Sequence, residues 1–266
     1  MIRRLGRLVA SESRKALHHR LLRGTAVATV LAALLAALLV TSAHGETTGF
    51  LVVARAARVA AVLSAVTALL LGCQGIAREA GEGTLVLVLT RPVRRREVVV
   101  AKTIVTALAA VVVFAVSVAL ALALAAATRG FGPIASEGYV IVEPGEMSRT
   151  LVRSLALTIP ALAAVAAFGL LVSSVASSGT AAVAIGLLAY VPIEIGRRLF
   201  ATAELTPYVF STYSTFFVDF AEERSRGYAV GLAGEAAWLG VLVPLASAVV
   251  LAAAASLVLA RREIRY

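Results

Sequence analysis

The amino-acid sequence predicts an all-α polytopic membrane protein with six transmembrane helices. Of its 266 residues, 60% are hydrophobic and only 15% are charged, and the mean hydropathy is +0.93. Soluble domains contain about 25% charged residues. Six apolar stretches reach, or nearly reach, the roughly 20 helical residues that cross the hydrocarbon core of a bilayer. These observations predict one membrane domain that occupies residues 1–266.

The first element is an amphipathic helix, predicted within residues 1–23. Its apolar residues recur at helical spacing and its arginines fall on other faces. The apolar positions are Ile2, Leu5, Val9, Leu17 and Leu21. A basic amphipathic helix can lie on anionic lipid headgroups. It can also contact a cytoplasmic partner, and the two interpretations are compatible.

Six spans follow, predicted at residues 24–43, 53–76, 103–127, 151–174, 179–196 and 234–260. The first is interpreted as an uncleaved helix, because its apolar run exceeds the about 7–15 residues of a signal-peptide core. Only "VASS" separates the fourth span from the fifth, which predicts a tight helical hairpin. Ala182 and Gly186 form a small-xxx-small pair in the fifth span, although such pairs arise easily by chance in an alanine-rich chain.

The charge distribution predicts that both termini are cytoplasmic. With six spans, one side carries the termini, the 77–102 loop and the 175–178 turn. That side holds 16 of the 25 basic residues and 5 of the 15 acidic ones, a net charge of +11. The other side holds 9 basic and 10 acidic residues, a net charge of −1. The excess of arginine and lysine on one side places it in the cytoplasm, and the chain in the cytoplasmic membrane.

Residues 197–233 are predicted to form short interfacial helices before the sixth span. This segment holds eight of the 16 aromatic residues of the chain: Phe200, Tyr208, Phe210, Tyr213, Phe216, Phe217, Phe220 and Tyr228. Aromatic rings concentrate at membrane interfaces. Direct contact with a substrate is the alternative interpretation. The outer loop 128–150 is predicted to be a small exposed loop.

The ionisable residues within the spans lie close to span ends, where long side chains can reach the interface. They are Arg55, Arg58, Arg153, Glu194 and Glu235. A proton relay through the membrane is therefore not expected. The sequence also lacks the GxxxxGK[ST] phosphate-binding loop and the HExxH zinc motif, and its single cysteine, Cys73, cannot form an intrachain disulfide. No catalytic site, metal site or resident cofactor is predicted, and the basic charge does not indicate a nucleic-acid partner.

The polar segment "AREAGEGTLVLVLTRPVRRREVVVAK", residues 77–102, interrupts this apolar pattern. Glu79 and Glu82 lie three residues apart and share one face of a helix. Gly81 and Gly83 allow a sharp turn, and Pro92 ends a short helix. A rigid charged element of this kind can transmit a push to the spans beside it. A polar loop whose arginines only set the topology remains the alternative.

The same segment resembles the loop after the second span of type-2 ATP-binding-cassette (ABC) exporter permeases, especially the six-span group that includes the copper-enzyme maturation permeases. The residues that fill the family pattern are Glu79, Glu82, Gly83, Thr84, Leu85, Pro92, Val93, Arg95 and Lys102. The closing "LARREIRY" is similar to the end of family members after their sixth span. The sequence departs from the pattern at Gly81, Val86, Arg94 and Ala101.

The resemblance implies a permease subunit, expected to be a homodimer in lipid, whose transport is driven by a separate ABC ATPase that binds the ATP and magnesium. Glu79, Glu82, Gly83, Thr84, Leu85, Pro92, Arg95 and Lys102 are the implied ATPase-coupling residues, and a coupling helix is expected between the second and third spans. The transported substrate is not identified. A membrane anchor or assembly protein without transport activity is the alternative function.

Overall fold

A computed structural model of the chain describes residues 2–42, 47–84, 94–136, 139–199, 206–228 and 234–261. The described chain contains eight α-helices, two single 3₁₀ turns and one two-stranded hairpin. The helices are α1 (Ile2–Leu17), α2 (Arg20–Ser42), α3 (Gly49–Gly81), α4 (Arg95–Thr128), α5 (Pro144–Val175), α6 (Gly179–Leu199), α7 (Phe216–Ser225) and α8 (Gly234–Arg261). The strands are β1 (Ile134–Ser136) and β2 (Tyr139–Val142).

Six of these helices are long and apolar enough to cross a membrane: α2, α3, α4, α5, α6 and α8. Each contains one of the predicted spans, so the all-α polytopic prediction is confirmed. The helices extend beyond the apolar runs. For example, α3 has 33 residues and α4 has 34, about 50 Å each at 1.5 Å per residue. Both therefore project past the hydrocarbon core and carry polar residues at their ends.

The N-terminal helix is shorter than the sequence predicts. It ends at Leu17, and residues 20–23 belong to the first turn of α2. His18, between the two helices, makes two of the local contacts: its ring lies 2.9 Å from the Arg14 carbonyl oxygen, and the Arg23 guanidinium donates to the His18 carbonyl at 3.1 Å. These contacts satisfy backbone groups that a helix end leaves open, which explains the break.

Helices α3 and α5 form the centre of the bundle. In each of them, 56% of the residues in the most apolar stretch are buried. They cross where Gly72 faces Gly169. A Cβ atom on Gly72 would lie 2.7 Å from the Ala166 carbonyl oxygen, and one on Gly169 would lie 2.6 Å from the Leu69 carbonyl oxygen. One turn further along, the Ser173 hydroxyl accepts the backbone N–H groups of Ile76 and Ala77 at 2.9 and 2.8 Å. In lipid, the hydrophobic effect does not drive helices together. Small residues and interhelical hydrogen bonds therefore hold α3 and α5 in contact.

The tight hairpin between the fourth and fifth spans is present, because α5 ends at Val175 and α6 begins at Gly179. The small pair in α6 lies against α3. Ala182 is fully buried, and a Cβ atom on Gly186 would lie 2.4 Å from the Cys73 sulfur. The spacing of Ala182 and Gly186 therefore indicated a true helix contact.

The two ends of the bundle carry different polar structures. The α1 end holds α1, the end of α3 and the start of α4. The opposite end holds the β-hairpin formed by β1 and β2, together with α7, and we call it the hairpin end. The strands pair antiparallel, with Ile134 opposite Val142, so the predicted exposed loop is partly a β-hairpin that turns two buried side chains inward.

The aromatic segment before the last span contains short helices, as predicted, but several of its rings are buried in protein rather than at an interface. Phe217 is fully buried, Tyr213 stacks on it with ring centroids 5.7 Å apart, and Phe220 is also buried. Tyr208 and Tyr228 are exposed. Phe200 lies outside the described residues. The three buried rings, Tyr213, Phe217 and Phe220, therefore pack this segment against the bundle.

The arginines of the second span have carboxylate partners, a contact that the sequence did not indicate, and their side chains remain nearly half exposed. The buried Glu222 carboxylate of α7 accepts hydrogen bonds from Arg55 at 3.1 Å and from Arg58 at 3.3 Å, and Arg226 also pairs with it. Arg58 additionally pairs with Asp219 at 2.9 Å. Burial alone would raise the pKa of Glu222, but the arginine contacts outweigh it and hold that pKa below its ordinary value. These ion pairs hold α7 on α3.

The α3–α5 crossing generates a stability prediction. We expect Gly72→Ala to lower the free energy of unfolding by about 1–3 kcal/mol, because its new methyl group overlaps backbone atoms of α5. Gly24→Ala in α2 is the matched control, since nothing lies within 4 Å of its Cβ position and alanine favours a helix. Thermal unfolding of both variants in detergent would measure the difference. A Gly72→Ala protein that unfolds at or above the wild-type temperature would contradict the tight crossing.

Candidate functional site

The residues predicted to act in coupling lie at the α1 end of the bundle, around the junction of α3 and α4. Glu79 is in the last turn of α3, Glu82, Gly83 and Thr84 form the turn after it, and Arg95 and Lys102 belong to α4. Leu85 and Pro92 lie outside the described residues, and so does most of the predicted coupling helix.

Lys102 is the buried centre of an ionic cluster whose other lysine, Lys15, is exposed. Only 5% of the residue is exposed, although it carries a charge. Its Nζ atom lies 2.7 Å from Glu12 Oε2 on α1 and 2.9 Å from Glu79 Oε1 on α3. Lys15 completes the cluster, with Nζ 2.7 Å from Glu12 Oε1 and 3.4 Å from Glu79 Oε1. We call these four residues the Lys102 cluster; it joins α1, α3 and α4.

The cluster is neutral as a whole, with two carboxylates and two ammonium groups. A buried charge without a partner is costly, and removal of one member of a buried pair costs about 3–5 kcal/mol. Burial alone would raise the pKa of Glu12, but Lys102 and Lys15 outweigh it and hold that pKa below its ordinary value of 4.5. Burial alone would lower the pKa of Lys15, but the carboxylates of Glu12 and Glu79 outweigh it and raise that pKa above its ordinary value. Both directions agree with the ion pairs, in which the charged forms attach α1 to α3 and α4.

A more exposed set of contacts surrounds the turn after α3. Arg78 pairs with Glu82 at 2.7 Å, one helical turn away, and both side chains are about half exposed. The Arg78 guanidinium also bonds to the His19 ring. Burial and the positive charge of Arg78 lower the pKa of His19, which favours its neutral form. Gly83 has a φ of 70°, a left-handed conformation that favours glycine, so the chain turns sharply there as its sequence predicts.

Arg95 fixes the start of α4 to the end of the last span. Its guanidinium donates to the Leu259 carbonyl at 2.7 Å and to the Ala260 carbonyl at 3.0 Å. The last carbonyl groups of a helix have no partner within the helix, and a cation there also favours the helix dipole. Arg95 therefore acts as a C-terminal cap on α8, a role that the sequence pattern did not indicate.

A cavity of about 480 Å³ lies between α1, α3 and α4, beside the Lys102 cluster. The α1 wall includes Glu12, Lys15 and Ala16. Deeper toward the bundle centre the lining includes Leu71, Gly75 and Val105. One wall is thus formed by a helix that the Lys102 cluster holds in place.

Sequence analysis did not identify Glu12 as part of this site. It lies 67 residues before Glu79 in the sequence, and the only local indication was its spacing of three residues from Lys15, which permits an ion pair along one helix. Among the described residues, no group of three or more histidine, cysteine or carboxylate side chains could hold a metal ion.

One comparison with known proteins matches the chain. The sequence model of a family described as "ABC-2 family transporter protein" matches residues 9–209, which include the whole Lys102 cluster and the turn after α3. The match names no subgroup, so the likeness to copper-enzyme maturation permeases stays a prediction. A comparison with curated proteins found no match.

The lowered pKa of Glu12 generates a pH prediction for α1. Its carboxylate supports docking above the ordinary value of 4.5, and that support is lost as the pH falls through the lower pKa of the folded protein. We expect a nitroxide at Ala10, an exposed α1 position, to become more mobile below about pH 4.5.

In the same electron paramagnetic resonance experiment, Glu12→Gln should mobilise the nitroxide at neutral pH already and flatten its acid response. Glu146→Gln, which removes an ion pair with Arg224 at the hairpin end, is the control and should leave the α1 profile unchanged. Identical acid responses with and without the Glu12 carboxyl would show that it does not hold α1.

Proposed function

The chain belongs to the ABC-2 family of transporter proteins, and from that premise we propose that it is the permease subunit of an ABC exporter, driven by ATP that a separate subunit hydrolyses. The observation that carries this proposal is the attachment of the turn after α3. Glu79 before the turn is bound to α1 and α4 through the Lys102 cluster, and Arg95 beyond it is bound to α8. A force applied to these two residues would therefore act on α1, α4 and α8 through direct side-chain contacts.

We infer that the α1 end faces the cytoplasm, where an ATPase can reach it. The excess of basic residues on this side supports the orientation. Exposed charges around the turn, such as Arg78 and Glu82, are available to a partner protein. Glu79 is less available, because its carboxylate is mostly buried against Lys102. Glu82 is therefore the better candidate for direct contact with the ATPase, and Glu79 for holding the turn in position.

The apolar outer faces of the bundle support a lipid environment and a second copy of the chain. On α4 the exposed residues recur every four positions and form one stripe: Val100, Ile104, Leu108, Val112, Val116 and Leu120. Lipid tails cover such a surface without a free-energy penalty, because they are as apolar as the side chains. The family resemblance implies a homodimer in which part of these faces meets its copy.

We expect the purified chain to hydrolyse no ATP. The sequence has no phosphate-binding loop, and both of its lysines, Lys15 and Lys102, are engaged in ion pairs. Magnesium-dependent phosphate release should be measured before and after addition of the partner ATPase, which is sought first in the neighbouring reading frame. Turnover by the chain alone, in a preparation free of other ATPases, would contradict the subunit assignment. Failure to copurify with any ATPase would favour the membrane-anchor alternative.

A second prediction concerns Glu82→Arg. This change leaves the Lys102 cluster intact and removes only an exposed pair with Arg78, worth about 0.3–0.5 kcal/mol. Membrane insertion and thermal stability should therefore be close to wild type. Reversal of a charge at the ATPase contact should cost about 2 kcal/mol, or about 30-fold in affinity.

Affinity for the ATPase would be measured with the permease in nanodiscs. Glu143→Arg is the matched control, since Glu143 is an exposed glutamate at the hairpin end. Equal affinities of both variants and wild type would remove Glu82 from the ATPase contact. Glu79→Arg is a less clean test, because it places a third cation beside Lys15 and Lys102 and disturbs the docking of α1 itself.

A further inference from the structure

The cavity between α1, α3 and α4 changes from charged to apolar along its length. On α3 its lining runs from Arg78 and Glu79 back to Leu71, and on α4 from Lys102 to Ala109. Seven or eight helical residues span about 10–12 Å. The volume of about 480 Å³ falls within the range of small-molecule sites, roughly 300–1,000 Å³. A cavity of this shape fits an amphiphile, with a polar head near α1 and an apolar chain toward the bundle centre.

The lysine, arginine and glutamate side chains in the lining sum to zero charge and are already paired with one another. The pairs are Lys15 with Glu12, Lys102 with Glu79 and Arg78 with Glu82. A phosphate or ammonium group in the ligand would have to break one of these ion pairs to find a partner of its own. A charge left unpaired in a partly buried site is costly. The lining therefore favours a ligand with an uncharged headgroup.

Two buried polar atoms of lining residues have no hydrogen-bond partner within the described part of the chain: Glu79 Oε2 and His19 Nδ1. The carboxylate oxygen can only accept. The role of His19 follows from Arg78, whose guanidinium can only donate and bonds to Nε2. The neutral ring, favoured by the lowered pKa of His19, therefore carries its proton on Nδ1 and donates there. The ligand must supply a donor for Glu79 and an acceptor for His19.

A hydroxyl-bearing headgroup meets these requirements, because a hydroxyl is uncharged and both donates and accepts hydrogen bonds. The apolar end of the cavity adjoins the lipid-facing stripe of α4. Val105 and Ala109 line the cavity, and the exposed residues Ile104 and Leu108 directly precede them in the helix. An acyl chain can therefore continue from the cavity into the surrounding lipid.

We propose that this cavity binds a neutral lipid whose headgroup carries free hydroxyl groups, such as a monoacylglycerol. One hydroxyl donates to Glu79 Oε2, and a headgroup oxygen accepts from His19 Nδ1. The acyl chain lies along Leu71, Val105 and Ala109, and the lipid enters from the leaflet on the α1 side. Such a site forms in this chain without an ATPase, so it goes beyond the proposed function and can fail without affecting it.

The test is a titration of the purified full chain with monooleoylglycerol in an amine-oxide detergent, which has no hydroxyl group. Native mass spectrometry counts the bound lipids and gives their affinity. We expect a single tightly held monooleoylglycerol per chain. Its dimethyl ether keeps the acyl chain but cannot donate to Glu79, and it should bind about 10-fold more weakly or worse. Free glycerol, which lacks the chain, should not bind measurably.

Equal affinities of monooleoylglycerol and its ether would overturn the proposal, and so would glycerol that binds as tightly as the lipid. This comparison uses the wild-type protein, so it decides the question even where a variant fails to fold.

Two variants locate the site. His19→Phe keeps a ring but removes the donor, and Ala109→Phe fills the apolar end of the cavity. Each should weaken monooleoylglycerol binding by about 10-fold or more. Ala123→Phe, at an exposed position further along α4, is the matched control and should bind the lipid as the wild type does. Wild-type affinity in both cavity variants would overturn the proposal, and so would an equal loss in all three proteins.

Discussion

The close crossing of α3 and α5 is the constraint on which the rest of the structure depends. Two glycines, Gly72 and Gly169, let backbone meet backbone where any side chain would overlap a carbonyl oxygen. Ser173 then binds two amide groups of α3 on the next turn. In lipid, where apolar contact alone gives helices little reason to associate, close approach and hydrogen bonding hold the central pair together. The other spans are placed around this pair.

Among the described residues, the two buried charged side chains, Lys102 and Glu222, lie at opposite ends of the bundle and are paired there. At the hairpin end, Glu222 collects three arginines and holds α7 on α3. At the α1 end, Lys102 collects two glutamates and holds α1 on α3 and α4. In both places a buried ion is neutralised by partners from distant parts of the sequence. Since an isolated charge in the bilayer costs about 3 kcal/mol or more, such pairs fix helix positions strongly.

At the α1 end, ion pairs that join three helices lie beside an exposed turn that a partner protein can reach. Its inner layer is the Lys102 cluster, centred on a buried lysine, and its outer layer is the exposed turn with Arg78 and Glu82. A partner that binds the outer layer would lie next to residues that are bound to α1, α4 and α8. That arrangement suits a permease that receives mechanical work from a separate ATPase. The described ends of the polar segment, at Glu79 and Arg95, are both bound to neighbouring helices.

Composition and periodicity by themselves determined the all-α membrane class, the six spans and the short helices before the last one, because each depends on local hydropathy. The motif around Glu79 also indicated the family, which the match over residues 9–209 confirmed. Tertiary structure alone decided which charges meet. Glu12 and Glu79 are far apart in sequence, and Arg95 caps a helix more than 160 residues away. No local pattern encodes such pairs, because they arise only when packing of α3 against α5 brings the ends of separate helices together.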